Sequence, residues 1–213
     1  MAIAPKTAAI LAGGVALLGI GAMVLATSKR PADDIFAACR NGAVAGGSST
    51  IGGPFELVDE AGKTVTDKDV ITGPTLIYFG YTFCPDVCPL DSSRNAEAIA
   101  TLDDRGYNIK PVFISVDSER DTPELLAEFT DIMHPRMLGL SGTAEQVKAA
   151  SKAYKTYFKV QTPGDPYTLI DHSTQSYLMF PDYGFVDFFS HEDTAEYVAE
   201  KMECYVDAVN AAK

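Results

Sequence analysis

The chain has 213 residues, 46% hydrophobic and 22% charged, with 17 Gly and 12 Pro; this describes one globular domain with an appendage and excludes disordered, collagen-like and repeat architectures. All 29 Asp and Glu lie beyond residue 30, whereas Lys6, Lys29 and Arg30 are three of the 17 basic residues, so residues 31–213 carry −15 against −12 for the whole chain. Such a surface repels phosphate backbones and excludes nucleic acid as a partner, and four Cys are too few for a disulfide-built scaffold but enough for a thiol site plus one structural bridge.

Thr7 to Ser28 is uncharged over 22 residues, and a helix of that length reaches about 33 Å, enough to cross a bilayer core. A cleaved signal peptide has a shorter apolar stretch and a small-x-small exit, to which Val24-Leu25-Ala26 is a poor fit. Residues 1–30 are therefore expected to be a retained single-pass transmembrane anchor. Only six residues precede the span, which leaves no room for a mitochondrial presequence and favours a bacterial inner membrane with the domain in the periplasm. Residues 31–53 contain a short helical candidate, Asp33 to Arg40, and a Gly- and Ser-rich stretch that reads as a flexible lead-in.

The folded domain is expected over 54–213. Phe55 to Val58 and Lys63 to Thr66 flank a turn and read as an N-terminal β-hairpin. Thr75 to Tyr81 is a continuous apolar and aromatic run, a buried strand, followed by a Cys-bearing turn and a helix from Pro89 to Arg105. Pro111 to Val116 is a second buried strand. A helix then opens at Thr122-Pro123-Glu124 and closes before Pro135. A short strand is expected at Met137 to Leu140 and a helix at Thr143 to Tyr154. Ser176 to Phe180 and Phe185 to Phe189 form a second hairpin, and a final helix begins at Ser190, capped with Asp193. Strand, helix, strand, helix, then antiparallel hairpin and helix is the order of an α/β, thioredoxin-like sheet.

In IYFGYTFCPDVCPL, Cys84 and Cys88 lie where a buried strand gives way to a helix start. The positive end of the helix dipole and its unpaired N–H groups favour thiolates, hence nucleophiles or soft metal ligands. Three residues separate the cysteines, a wider bite than the two of thioredoxin-type reductants and one that a metal can fill. A third donor must come from elsewhere. His134 precedes Pro135 at a helix end and reads as a partner for the terminal carbonyls; His191 reads as solvent-facing. His172 lies in the loop before an apolar strand, which a thioredoxin-like topology returns beside the cysteine turn.

YFGYTFCPDVCP, then ISVDSERDTP at 114–123, then DHS at 171–173 resemble the Sco/SenC family over residues 54 to about 205. The resemblance implies a membrane-anchored, thioredoxin-like copper protein that helps assemble the copper A centre of cytochrome c oxidase, with Cys84, Cys88 and His172 as copper ligands. Ser118 stands where the family commonly has Pro. Asp117 and Asp121 match the motif and are expected to cap the turn into the next helix; for Asp86 both a hydrogen-bonding and a docking role stand open. The chemistry agrees independently, since two thiolates and an imidazole suit Cu(I) and tolerate Cu(II).

Three functions compete: a copper metallochaperone delivering copper to subunit II of the oxidase; a thiol-disulfide oxidoreductase reducing the acceptor's cysteines, with Cys84 attacking and Cys88 resolving; and a peroxiredoxin-like thiol peroxidase, which needs one very acidic Cys beside an Arg. Other periplasmic copper carriers or thiol reductants are further expected partners. Cys84 and Cys88 are expected to form a reversible redox disulfide. The remaining pair, Cys39 and Cys204, is expected to form a structural disulfide, because export exposes thiols to oxidation and the count is even.

Overall fold

The computed structural model describes residues 34–40 and 50–213. The expected membrane span at 7–28 lies outside them, as does the Gly- and Ser-rich stretch 41–49. Among the described residues no helix is long and apolar enough to cross a membrane. Asp34 to Ala38 belong to a first unit and form a turn rather than the expected helix: the Asp34 carboxylate accepts from the Phe36 N–H at 3.1 Å and its carbonyl from the Ala37 N–H at 3.0 Å.

The second unit, from Cys39, holds nine strands and five helices among the described residues. Strands β1 (Glu56–Asp59) and β2 (Thr64–Thr66) form the hairpin. Its turn is set by Asp59, which accepts from the N–H groups of Ala61 and Lys63, and by Gly62, whose φ of +75° a side chain would resist. A single-turn helix α1 (Asp67–Val70) follows, then β3 (Thr75–Gly80), α2 (Val87–Asp104), β4 (Lys110–Ser115), α3 (Pro123–Met133), β5 (Leu138–Ser141) and α4 (Ala144–Ala153). Two short strands, β6 (Phe158–Val160) and β7 (Ile170–His172), precede β8 (Ser176–Phe180), β9 (Gly184–Phe189) and α5 (Ala195–Ala211).

Seven strands make one sheet in the order β2-β1-β5-β4-β3-β8-β9. The middle three, β5, β4 and β3, are parallel; β1 and β8 join antiparallel on either side. This is the thioredoxin-like α/β fold, with the hairpin added at one edge. Every residue of β3 is buried, as its unbroken apolar run demands of a strand covered on both faces. Phe79 packs with Tyr154 and Tyr177 (centroids 5.3 and 6.0 Å), while Tyr78 packs with Phe113, which meets Phe129 of α3. Helix α2 lies against β3, β4 and α5, so its first turn stands at the carboxyl end of the central strands.

Three further features differ from the sequence reading. Helix α2 begins at Val87, two residues early, so Cys88 is inside its first turn and Pro89 is third rather than first. Helix α5 begins at Ala195 under a Thr194 cap; Ser190 and Asp193 do bond each other, but they close a separate turn. The loop expected to carry His172 is half of a β6–β7 ribbon pairing Phe158 with His172. Cys39 and Cys204 are joined in a disulfide with Cα atoms 5.8 Å apart, and Lys201 Nζ donates to the Cys39 carbonyl at 2.5 Å.

Candidate metal centre

Strand β3 ends at Gly80, and the chain turns through Tyr81 to Cys84, with the Cys84 N–H on the Tyr81 carbonyl at 3.3 Å. Asp86 occupies the N-cap position of α2, yet its exposed carboxylate makes no capping bond. The Cys84 sulfur takes over, accepting from the Cys88 N–H at 3.4 Å. A sulfur at a helix start satisfies one of the orphan donors and gains from the dipole most when it is a thiolate.

His172 arrives on the β6–β7 ribbon. Its Nδ1 lies 2.8 Å from the Ser173 carbonyl, so that nitrogen carries a proton, and Nε2 faces Cys88 Sγ, 3.1 Å away. Tyr78 and Tyr81 hold the imidazole edge-on, with centroids 6.2 and 5.8 Å from it, and the Tyr81 hydroxyl accepts the Ile170 N–H at 3.3 Å. The donor atoms of Cys84, Cys88 and His172 all lie within 4.8 Å of one another. Both cysteines are free thiols, buried within reach of the surface turn.

The two thiols are pushed apart electrically. The hydrogen bond from Cys88 pulls the Cys84 thiol down to about 3 against the opposing effect of burial, and His172 with the N–H groups of Asp86 and Cys88 adds to the pull. Burial, then the neighbouring Cys84 sulfur, pushes the Cys88 thiol up. For His172 burial opposes the charged form, but bonds to Cys84 and Ser173 outweigh it and raise the pKa. Two sulfurs from the cysteine turn and an imidazole from β7, the imidazole already oriented from behind, fit a soft ion such as Cu(I).

The other histidines stand elsewhere. His134 does not serve the carbonyls of its helix: Nδ1 accepts the Arg136 N–H at 3.2 Å and Nε2 lies 3.6 Å from Asp103, because the chain leaves α3 in an extended conformation at this residue. His191 is partly exposed, as expected, but its Nδ1 is 2.7 Å from Asp91. Asp91 is fully buried and also accepts from the Tyr78 hydroxyl at 2.9 Å. Asp91 escaped the sequence reading, although its place three residues after Cys88 puts both on one helix face. Asp117 takes the Arg120 N–H as expected of a turn cap. Asp121 instead reaches back to Thr82, because β4 leads the chain directly past the cysteine turn.

A model of the SCO1/SenC family matches residues 44–207. The protein SenC of Rhodobacter capsulatus is 53% identical over 209 residues, spanning 98% of this chain and 94% of that protein. The solved structures of Arabidopsis thaliana ScoI and Bradyrhizobium japonicum ScoI, each with copper bound, are 36% and 39% identical, cover 76% and 73% of this chain and 99% of each of those, and superpose with TM-scores of 0.69 and 0.66. With its thiol pair at the start of α2, an imidazole brought to it on a separate ribbon and a family match over most of its length, this chain belongs to the SCO1/SenC family.

Proposed function

We propose that this protein binds copper through Cys84, Cys88 and His172 and delivers it to the copper A site of cytochrome c oxidase subunit II during assembly. The observation that carries the reading is the convergence of the three donors within 4.8 Å, with His172 held by the Ser173 carbonyl so that its free nitrogen faces the sulfurs. The donor set accepts both Cu(I) and Cu(II), and relatives with copper bound share the fold. Copper is cargo here, and a three-donor site without a fourth strong ligand releases it more readily than a closed tetrahedral one. Half-exposed Phe83 beside Cys84 offers an acceptor an apolar foothold. Residues 1–30 would anchor the domain at the periplasmic face of a bacterial inner membrane, which membrane fractionation under alkaline wash tests.

A second reading is favoured by the polarised thiol pair: Cys84 as the attacking thiolate and Cys88 as the resolving thiol of a reductase acting on the acceptor's cysteines. Anaerobic titration of the purified protein is expected to give one bound copper, lost in Cys84→Ser, Cys88→Ser and His172→Ala while each variant stays folded. Retention of the wild-type Cu(II) spectrum by His172→Ala would remove His172 from the site. Mixing the copper-loaded protein with a pre-reduced copper A domain should transfer metal with no change in thiol count. Thiol oxidation without metal transfer, seen with the oxidised domain, would favour the reductase.

A further inference from the structure

The donors reach the centre on two stretches of chain, one following β3 and one forming β7, with Cys88 and His172 separated by 84 in sequence. A third stretch, the turn that follows β4, touches both. Asp121 accepts from the Thr82 N–H at 3.0 Å and the Thr82 hydroxyl at 2.6 Å, while Ser115 donates to the same carboxylate at 2.5 Å. Arg120 beside it spans the gap. Its Nε donates to Asp117 at 2.5 Å and one terminal nitrogen to the Pro166 carbonyl at 3.0 Å, on the loop that leads into β7. Its guanidinium carbon sits 5.0 Å from the centroid of Phe83, next to Cys84, and 5.8 Å from that of Tyr81. Tyr81 in turn holds Ile170 and the His172 ring. The Arg120 side chain is only 15% exposed for all this reach.

We propose that Arg120 is a positioning residue of the metal centre: braced on Asp117, it locks the cysteine turn and the histidine-bearing loop at one separation and thereby sets how tightly copper is held. The inference rests on the copper-binding reading. A planar guanidinium can bond Asp117 and Pro166 in two directions while lying against two rings, whereas an ammonium cannot. Ordering the histidine loop before metal arrives removes that cost from binding.

The test compares wild-type protein with Arg120→Ala and Arg120→Lys in three measurements: Cu(I) affinity by competition with a chromophoric chelator, the Cu(II) spectrum, and amide hydrogen exchange of Ile170 to His172 without copper. Both variants are expected to bind one copper about tenfold or more weakly, within the range for residues that support metal ligands. Both should show an altered Cu(II) spectrum and faster exchange in β7; Arg120→Ala leaves the buried Asp117 unpaired and is expected to unfold at lower temperature, so the comparison is made where both variants remain folded. Wild-type affinity and spectrum in Arg120→Ala would overturn the proposal. So would full rescue by Arg120→Lys, since charge rather than the two-way fork would then suffice. A wild-type protein that takes up no copper would defeat the copper reading instead, and the exchange rates would still decide whether Arg120 braces the loop.

Discussion

Gly80 is the last residue of β3, and the room it leaves is filled by the site. A Cβ there would lie 2.9 Å from Tyr78 Cε1, closer than packed side chains tolerate, and 3.0 Å from Cys88 Sγ and 3.1 Å from Phe113 Cε2, tight enough that both neighbours must give by a few tenths of an ångström. Gly80→Ala is therefore expected to destabilise the domain by about 1–3 kcal/mol through overpacking and to weaken copper binding as Cys88 is displaced. Denaturant titration and a chelator competition check both effects, and an unchanged copper affinity would mean that the sulfur has room to move. At this scale the convergence of Cys84, Cys88 and His172 was legible. Cys84 and Cys88 stand in a strand-to-helix setting whose chemistry is local, and His172 precedes a strand whose neighbour could be inferred. Gly80, Asp91 and Asp121 were not legible in those roles, since each acts across the sheet or between elements. The pairing of β3 with β4, which carries Asp121 past Thr82, is a long-range fact that no local pattern encodes.

Among the elements, β8 spans Ser176 to Phe180 as read and α3 opens on Thr122 with Pro123 at its first position, whereas the two longest helices, α2 and α5, start at Val87 and Ala195 rather than where they were read. The β6–β7 ribbon escaped because its strands are three residues each and pair only with one another, which leaves too little alternation to read. The junction of α3 with β5 makes a pH prediction. Burial is the main cause holding the His134 pKa below its ordinary 6.5, with the Arg136 charge adding to it and Asp103 opposing. The folded state thus resists protonation that the unfolded chain accepts. Stability from this residue is present above pH 6.5 and is lost as pH falls from there through the lower folded value. His134→Asn keeps an acceptor for the Arg136 N–H, and its stability relative to wild type should rise as pH drops below about 6.5. Taking the difference cancels His172, whose raised pKa acts in the opposite sense in both proteins. Unfolding curves at pH 7.5, 6 and 5 check it, and parallel pH profiles would overturn it.

Across the whole molecule, the Cys39–Cys204 disulfide closes a sequence separation of 165 residues. In the chain-entropy model a closed loop of this size is worth about 5 kcal/mol, an upper figure because residual structure in the unfolded chain reduces it. The Cys39→Ser/Cys204→Ser variant is expected to unfold at lower denaturant concentration while binding the same number of copper ions, and a change in copper stoichiometry would tie the bridge to the site. Non-reducing digestion should release a peptide joining the two cysteines.

The same bond also decides where mechanical load travels. A tension applied between residues before Cys39 and the carboxyl terminus passes through the sulfur atoms into α5 and bypasses every strand of the sheet. Pulled end to end in an optical trap, the oxidised chain should lengthen by no more than the 38 residues before Cys39 and the nine after Cys204 allow. Reduction would expose the enclosed stretch, a sequence separation of 165, to force and add about 550–600 Å of contour on unfolding. The sheet, the cysteine turn and the histidine ribbon are thus shielded from traction on the leader.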